Sequence, residues 1–363
     1  MQEIIYKGAI NPLSFGNVSY NLLKAMYKKE IKVSFFPIGD KLNFDSFDKA
    51  DNDFKNWVIS SAQNRFHTVN KNLHTLCQWH LNGAESRVSK SQTLFTFYEV
   101  DQPTPVEKSL VDLQDNTIFS SNHAADAFKS LGCDNVNAVP IGFDEDFHET
   151  EDEYLPEKIH FGLMGKFENR KNTAQIIKNW VKKYGNNYKY QLSCCVNNPF
   201  FKPEQMNQIL SQCLEGKSYG NVNFLPHLNT NSEVNEFLNA IDIDLTGLSG
   251  AEGWNIPAFN ATALGKWSIV MNHTSHKDWA NEKNSILIEP ENQVEIYDQS
   301  FFQKGSPFNQ GNMNKISDEK MIESFEKSET FYGKKNSEGV KLVKEFTYEK
   351  TLNKILEIIQ NEK

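Results

Sequence analysis

Five cysteines in 363 residues, odd in number and scattered (Cys77, Cys133, Cys194, Cys195 and Cys213), leave no disulfide framework. They read as reduced thiols, mostly in a core, which fits a cytosolic protein. No stretch is apolar enough to span a bilayer, and Met1–Ile10 reads as too short and too polar for a signal peptide. Basic character is lacking as well. The formal net charge of −9 speaks against an overall nucleic-acid-binding surface and leaves room only for a local basic patch. There is no low-complexity tract and no internal repeat. Nor is there a recognisable nucleophile with its base, or a pair of carboxylates placed to flank a scissile bond. What remains is a globular chain whose length suits two domains of ordinary size.

Strand-like and helix-like segments alternate along that chain. Strands are expected at Ile4–Ile10, Lys32–Ile38, Leu73–Trp79, Thr93–Tyr98, Asn116–Ser121 and Val136–Ile141. Helices are expected at Val18–Tyr27, Asn52–Arg65 and His123–Leu131, the last capped by Ser121 or Asn122. Glu149–Glu157 is acidic and poor in apolar residues and reads as a linker. The alternation then resumes. Strands follow at Lys158–Gly165, Lys189–Val196, Asn221–Pro226, Asp242–Leu248, Trp267–Met271 and Ser285–Pro290, and helices at Thr173–Tyr184, Lys202–Leu214 and Ser232–Ala240. Terminal helices are expected at Asp318–Gly333 and Ser337–Ile359. The alternation implies two parallel, doubly wound α/β sheets, in domains 1–150 and 151–335, with 336–363 returning toward the first.

Two turns of the second half carry chemistry. Ser249–Gly265 runs from the end of an apolar strand through a carboxylate, Glu252, into a small-residue helix that Gly265 closes. Ligands of open α/β sheets bind at such strand ends, and the unpaired N–H groups of a helix start suit a diphosphate. Glu252 would then accept from sugar hydroxyls, because a carboxylate is a poor neighbour for phosphate. The other turn, Lys166-Phe167-Glu168-Asn169-Arg170-Lys171-Asn172, gathers three cations between a strand and a helix. It is either a solvated basic turn or a clamp for a diphosphate leaving group.

Glu252-Gly253-Trp254-Asn255-Ile256-Pro257, followed by Ala261–Gly265, resembles the donor-site signature of retaining glycosyltransferases of the GT-B fold, family four (glycosyl transferases group 1). Asn260 stands where that family has a second Glu, eight positions after the first, and Asn255 where it has a second Gly. Lys166 and Lys171 stand at the Arg and Lys of the family's Gly-Arg-x-x-x-x-Lys turn. Val139–Phe147 resembles the run into its interdomain linker, and Phe346–Glu349 its Phe-Ser-Trp-Glu, where the last helices cross back. The resemblance implies two Rossmann-like domains facing each other across a cleft. It implies transfer of a sugar from a UDP- or GDP-linked donor to an acceptor hydroxyl on a glycan, a glycolipid or a small molecule. Retention is usually explained there by same-face attack, with no metal and no cofactor required.

On this reading Glu252, Lys166 and Lys171 carry the chemistry. Gly16, Arg170, His227, Leu228, Gly253, Trp254, Asn255 and Asn260 contact the donor, and Asn17, Tyr98, Glu99 and Asp101 the acceptor. Gly16 is either a close approach to ligand or a plain start of a helix. Glu99 and Asp101 either meet acceptor hydroxyls or cap the turn before Pro103. The Asp-x-Asp triplets at 144–146 and 242–244, and His273 and His276 near Asp278, read as chance and not as metal sites. Asn260 leaves two further readings open: a non-catalytic carbohydrate- or nucleotide-binding relative, or an altered ribose contact with activity kept. A glycosyltransferase acting on modified DNA bases would need a basic groove, which the net acidity disfavours.

Overall fold

The computed structural model describes residues 3–151, 154–198, 200–298 and 301–361. Asp152 and Glu153 of the expected linker, and the chain positions 1–2 and 362–363 of the expected domain ranges, lie outside the described residues.

Six strands form a first parallel sheet: β1 (Glu3–Gly8), β2 (Lys32–Pro37), β3 (His74–Gln78), β4 (Ser91–Thr96), β5 (Asn116–Phe119) and β6 (Val136–Ala138), in the order β2-β1-β3-β4-β5-β6. Six more form a second: β7 (Ile159–Lys166), β8 (Tyr190–Asn197), β9 (Val222–Phe224), β10 (Ile243–Asp244), β11 (Trp267–Met271) and β12 (Ile286–Ile288), in the order β12-β11-β10-β7-β8-β9. An antiparallel hairpin pairs β13 (Asn292–Glu295) with β14 (Asn312–Lys315). The helices of the first half are α1 (Ser14–Lys28), α2 (Asn52–Gln63), the single turn α3 (Arg65–Thr68), α4 (Pro105–Asp112) and α5 (Asn122–Lys129). Those of the second are α6 (Thr173–Tyr184), α7 (Pro203–Cys213), α8 (Asn231–Ala240), α9 (Ile256–Ala263) and α10 (Asp318–Glu329). The chain then runs through α11 (Ser337–Val340), α12 (Leu342–Glu345) and α13 (Tyr348–Asn361).

Local chemistry accounts for the helix starts. Ser121 accepts from the Ala124 N–H and caps α5, as expected. Thr104 with Glu107, and Thr230 with Glu233, form reciprocal capping boxes on α4 and α8. Helix α6 buries Ile176, Ile177, Trp180, Val181 and Tyr184 along one face at helical spacing.

Three expectations need correction. Helix α1 starts at Ser14, so Gly16 and Asn17 lie in its first turn and not in a loop. The loop before the helix folds back so closely that a Cβ on Gly16 would sit 2.2 Å from the Asn11 carbonyl oxygen. The apolar run before Ser249 keeps only two residues in the sheet. The Asp244 carboxylate accepts from the Thr246 N–H at 3.1 Å, and the chain turns into a 3-10 turn at Thr246–Leu248. The expected single helix Ser337–Ile359 is broken before Tyr348, because Thr347 forms a β-bridge with Phe143, whose N–H donates to the Phe346 carbonyl at 2.9 Å. The hairpin and α4 have no counterpart in the sequence reading; all four residues of β13 are exposed, so it carries no alternating pattern.

One apolar core runs through both halves. Leu22, Leu23 and Met26 of α1 share it with Phe259 of α9, Trp254, and Leu352, Ile355 and Ile359 of α13. Phe346 stacks edge-on with Trp254 and Phe259, at centroid distances of 5.7 and 5.6 Å. This core presses the turn that carries Glu252 against the first sheet.

Candidate active site

Strands β7 and β10 are neighbours, but the chain leaves β7 toward β8 and β10 toward β11, on opposite sides. The turns that follow them therefore diverge and open a crevice at the carboxyl edge of the sheet. Both turns singled out in the sequence lie here.

They are sewn together by backbone and side chain. The Gly250 N–H donates to the Arg170 carbonyl at 2.8 Å, and the Asn172 amide donates to the Leu248 carbonyl at 2.8 Å. Arg170 is buried. Its guanidinium meets Glu252 Oε2 at 3.0 Å and Glu168 Oε2 at 3.2 Å, and it also donates to the Ala251 carbonyl. Lys171 Nζ donates to Glu252 Oε1 at 2.6 Å, and Lys166 Nζ pairs with Glu168 Oε1 at 2.7 Å. Burial alone would raise the Glu252 pKa. The Arg170 and Lys171 charges outweigh it and hold this carboxyl well below the usual range. Glu252 is thus an ionised, buried carboxylate with both oxygens engaged.

A second layer fixes the turn. Asn255 adopts a left-handed conformation, φ 67°, which Asn tolerates better than most residues. Its amide donates to the Thr246 carbonyl at 3.0 Å and to His276 Nε2 at 2.9 Å, while His276 Nδ1 donates to the Met271 carbonyl at 2.8 Å. His276 is therefore neutral, with its proton on Nδ1. His273 Nε2 donates to the Ser249 carbonyl at 2.8 Å, and its Nδ1 accepts from the Thr274 hydroxyl at 3.0 Å. Thr274 Oγ1 accepts in turn from the Glu252 N–H at 3.3 Å. Burial pushes His273 down to about 3 and His276 down to about 4. Asp278 spends both oxygens on the backbone and side chain of Asn122, at 2.8 and 2.7 Å. Among the described residues no group of three or more His, Cys, Asp or Glu is arranged to hold a metal ion.

The first domain supplies the facing wall. A Cβ on Gly253 would sit 2.9 Å from Phe97 Cβ, and the Ser120 hydroxyl donates to the Gly253 carbonyl at 2.7 Å. Glu99 is half-buried just past β4 and faces the same charges. Burial raises its pKa, Arg170 opposes that rise, and Glu252 and Glu168 add to it. His80, just past β3, packs against Phe15 with the two rings tilted and their centroids 4.1 Å apart; burial, then the Lys166 charge, push it down to about 4.

The structure thus brings Lys166, Arg170, Lys171, Glu252, Gly253 and Glu99 together. Other expected residues lie elsewhere. Tyr98 is buried against Phe119 and Phe128 behind the sheet and donates to Glu107 at 3.2 Å. Asp101 accepts from the Asn312 N–H at 2.8 Å and so holds the hairpin. Asn17, with Asn21 and Asn231, donates to Asp144 Oδ2, at 3.3, 2.9 and 3.4 Å. Burial, then Asp146, raise the Asp144 pKa to about 6. The Trp254 ring is in the core, but its N–H and that of Gly253 donate to no acceptor among the described residues. His227 is exposed and Leu228 half-buried after β9. Asn260 is buried on α9, and its side-chain amide has no partner among the described residues. The sequence reading missed His80, Ser120, Thr274 and the supporting role of His276. Of these only His80 carried a signal, as a polar residue ending an apolar strand.

No protein-family model and no curated protein matches the chain. Solved structures do. Anabaena HepE in complex with UDP-glucose is 12% identical, with a TM-score of 0.67 over 99% of this chain and 100% of that one. Sucrose-phosphate synthase from Thermosynechococcus elongatus is 11% identical, with a TM-score of 0.70 over 99% of each chain. The trehalose 6-phosphate synthase of Burkholderia multivorans is 10% identical, with a TM-score of 0.62 over 99% of this chain and 96% of that one. The chain has their architecture, the GT-B fold of two Rossmann-like domains expected from the sequence.

Proposed function

We propose that this protein is a retaining glycosyltransferase that moves a sugar from a UDP- or GDP-linked donor to an acceptor hydroxyl, on a glycan, a glycolipid or a small molecule. The observation that carries the reading is the Lys171–Glu252–Arg170 cluster at the switch point of the second sheet, facing Glu99 of the first. A departing nucleoside diphosphate gains charge. Lys166 and Lys171, with the unengaged N–H groups of Gly253 and Trp254, would stabilise it without a metal. Glu252, kept ionised, would accept from the donor sugar's hydroxyls. Glu99 would face the acceptor, and the leaving phosphate oxygen would take its proton, so the protein supplies position and charge complementarity more than a strong base. Asn260 would offer an uncharged amide to the nucleotide. HepE was crystallised with UDP-glucose, which supports a UDP-linked donor. A cytosolic setting accords with five free thiols, four of them buried. No helix among the described residues is long and apolar enough to cross a membrane.

The test is thermal stabilisation by UDP, GDP and ADP, with slow hydrolysis of their sugar conjugates as the activity readout. One nucleotide should raise the melting temperature, Lys171→Ala should abolish the shift, and Glu252→Ala should abolish hydrolysis. If no nucleotide shifts the melt at millimolar concentration, the donor site is not intact and a non-catalytic binding role replaces this one.

A further inference from the structure

The proposed function asks Lys171 to hold the diphosphate and Glu252 to hold the sugar, yet the two hold each other at 2.6 Å, with side-chain exposures of only 15% and 7%. An attack on this pair by free sugar fails, because a hydroxyl competes poorly with an ammonium for a carboxylate oxygen. A diphosphate competes well, since it offers Lys171 more negative charge than one carboxylate does. Resting on that proposed function, we infer that the Lys171–Glu252 pair is a latch which the diphosphate of a nucleotide sugar opens, so that Glu252 is released to the sugar only after Lys171 has been captured.

The two cations on Glu252 are suited to unequal tasks. Arg170 is pinned by Glu168, by the Ala251 carbonyl and by its own carbonyl's bond from Gly250, and its planar fork has little freedom. It stays on Oε2 throughout. Lys171 reaches Oε1 with a flexible stem and is the more exposed of the two. When Lys171 leaves, Glu252 remains charged and oriented by Arg170, with Oε1 open. The latch thus couples the two halves of the donor: a free sugar finds the carboxylate occupied, and a nucleotide without sugar takes Lys171 but leaves Glu252 Oε1 without a partner.

Calorimetric titration of UDP, GDP, ADP and their glucose conjugates into the wild type and Glu252→Gln tests this. The variant keeps the shape of the side chain and removes the charge that holds Lys171. It should bind the free nucleotide about tenfold more tightly, on the scale of one charge-assisted hydrogen bond. At the same time the preference for the sugar conjugate over the free nucleotide should vanish. General damage to the site would weaken both ligands together. Unchanged or weaker binding of the free nucleotide by Glu252→Gln overturns the latch, while wild-type binding keeps the donor site. Failure of both proteins to bind any nucleotide overturns both. Should Glu252→Gln fold poorly, Glu252→Asp draws the carboxylate back from Lys171 and keeps charge beside Arg170; free nucleotide should again tighten, and its failure to do so overturns the latch.

Discussion

Glu252 and Asp144 are both buried carboxylates, and they are held in opposite ways. Two cations surround Glu252, and its pKa is driven down. Three asparagine amides and the Asp146 N–H surround Asp144, with a second carboxylate beside it, and its pKa rises to about 6. Amides orient a carboxylate without compensating its charge. Cations do both. The first arrangement suits a joint, where Asn17 and Asn21 of α1 and Asn231 of α8 converge on Asp144, in the run into the linker. The second suits a site that must meet a charged ligand.

The largest test of this contrast removes the permanent cation. Arg170→Met leaves Glu168 and Glu252 short of a buried partner and should cost about 3–5 kcal/mol in urea unfolding. A cost under about 1 kcal/mol would mean that Lys166 and Lys171 suffice, and the contrast would weaken.

The second test uses pH. Asp144 binds a proton more readily folded than unfolded, so its contribution to stability rises as pH falls from 7 through about 6 toward 4. Glu252 behaves oppositely: its contribution is present in full above the ordinary carboxylate range near 4.5 and is lost only as pH falls below it. Urea unfolding of wild type, Asp144→Asn and Glu252→Gln between pH 7 and 3.5 should give difference curves of opposite slope. Wild type gains on Asp144→Asn between pH 7 and 4, and holds steady against Glu252→Gln until about pH 4.5. Parallel curves would erase the distinction.

A smaller effect is expected behind the donor turn. His276→Leu removes one acceptor of the Asn255 amide, which keeps the Thr246 carbonyl, and one of two donors to the Met271 carbonyl, which keeps the His273 N–H. It should cost about 1–2 kcal/mol at pH 7, and the cost should shrink as pH falls from about 6.5 toward 4, because the unfolded ring takes up a proton there that the folded ring, held down near 4 by burial, does not. The smallest concerns Lys24, whose ammonium meets Asp146 at 3.0 Å with 22% of its side chain exposed. Lys24→Met should cost about 1 kcal/mol or less by the same measurement, and a larger loss would show that the joint also depends on a cation.

The sequence was most legible where the apolar pattern is strong and uninterrupted. Thr173–Tyr184 and Trp267–Met271 appear residue for residue, and both strand-to-helix turns were visible as turns. Their mutual bonding was not visible, because Lys171 and Glu252 are 81 residues apart and only the parallel order of β7 and β10 brings them together. Tyr98 and Glu99 show the limit of a motif. Adjacent positions past β4 face opposite ways, one into the core and one toward the crevice, and nothing in the residue types decides which. The exposed hairpin strand β13 lacked any buried face to leave a pattern.

The shared core has a consequence for synthesis. Helix α13 seats Leu352, Ile355 and Ile359 against α1, and Thr351 donates to the Pro140 carbonyl at 2.8 Å. The ribosome makes that helix long after the surface it covers. At about 5–20 residues per second, the first sheet waits some tens of seconds with an apolar seat unfilled. During that interval the nascent chain offers a ready surface to a chaperone, and release of the first half into its final form is timed by the arrival of a segment more than 200 residues downstream.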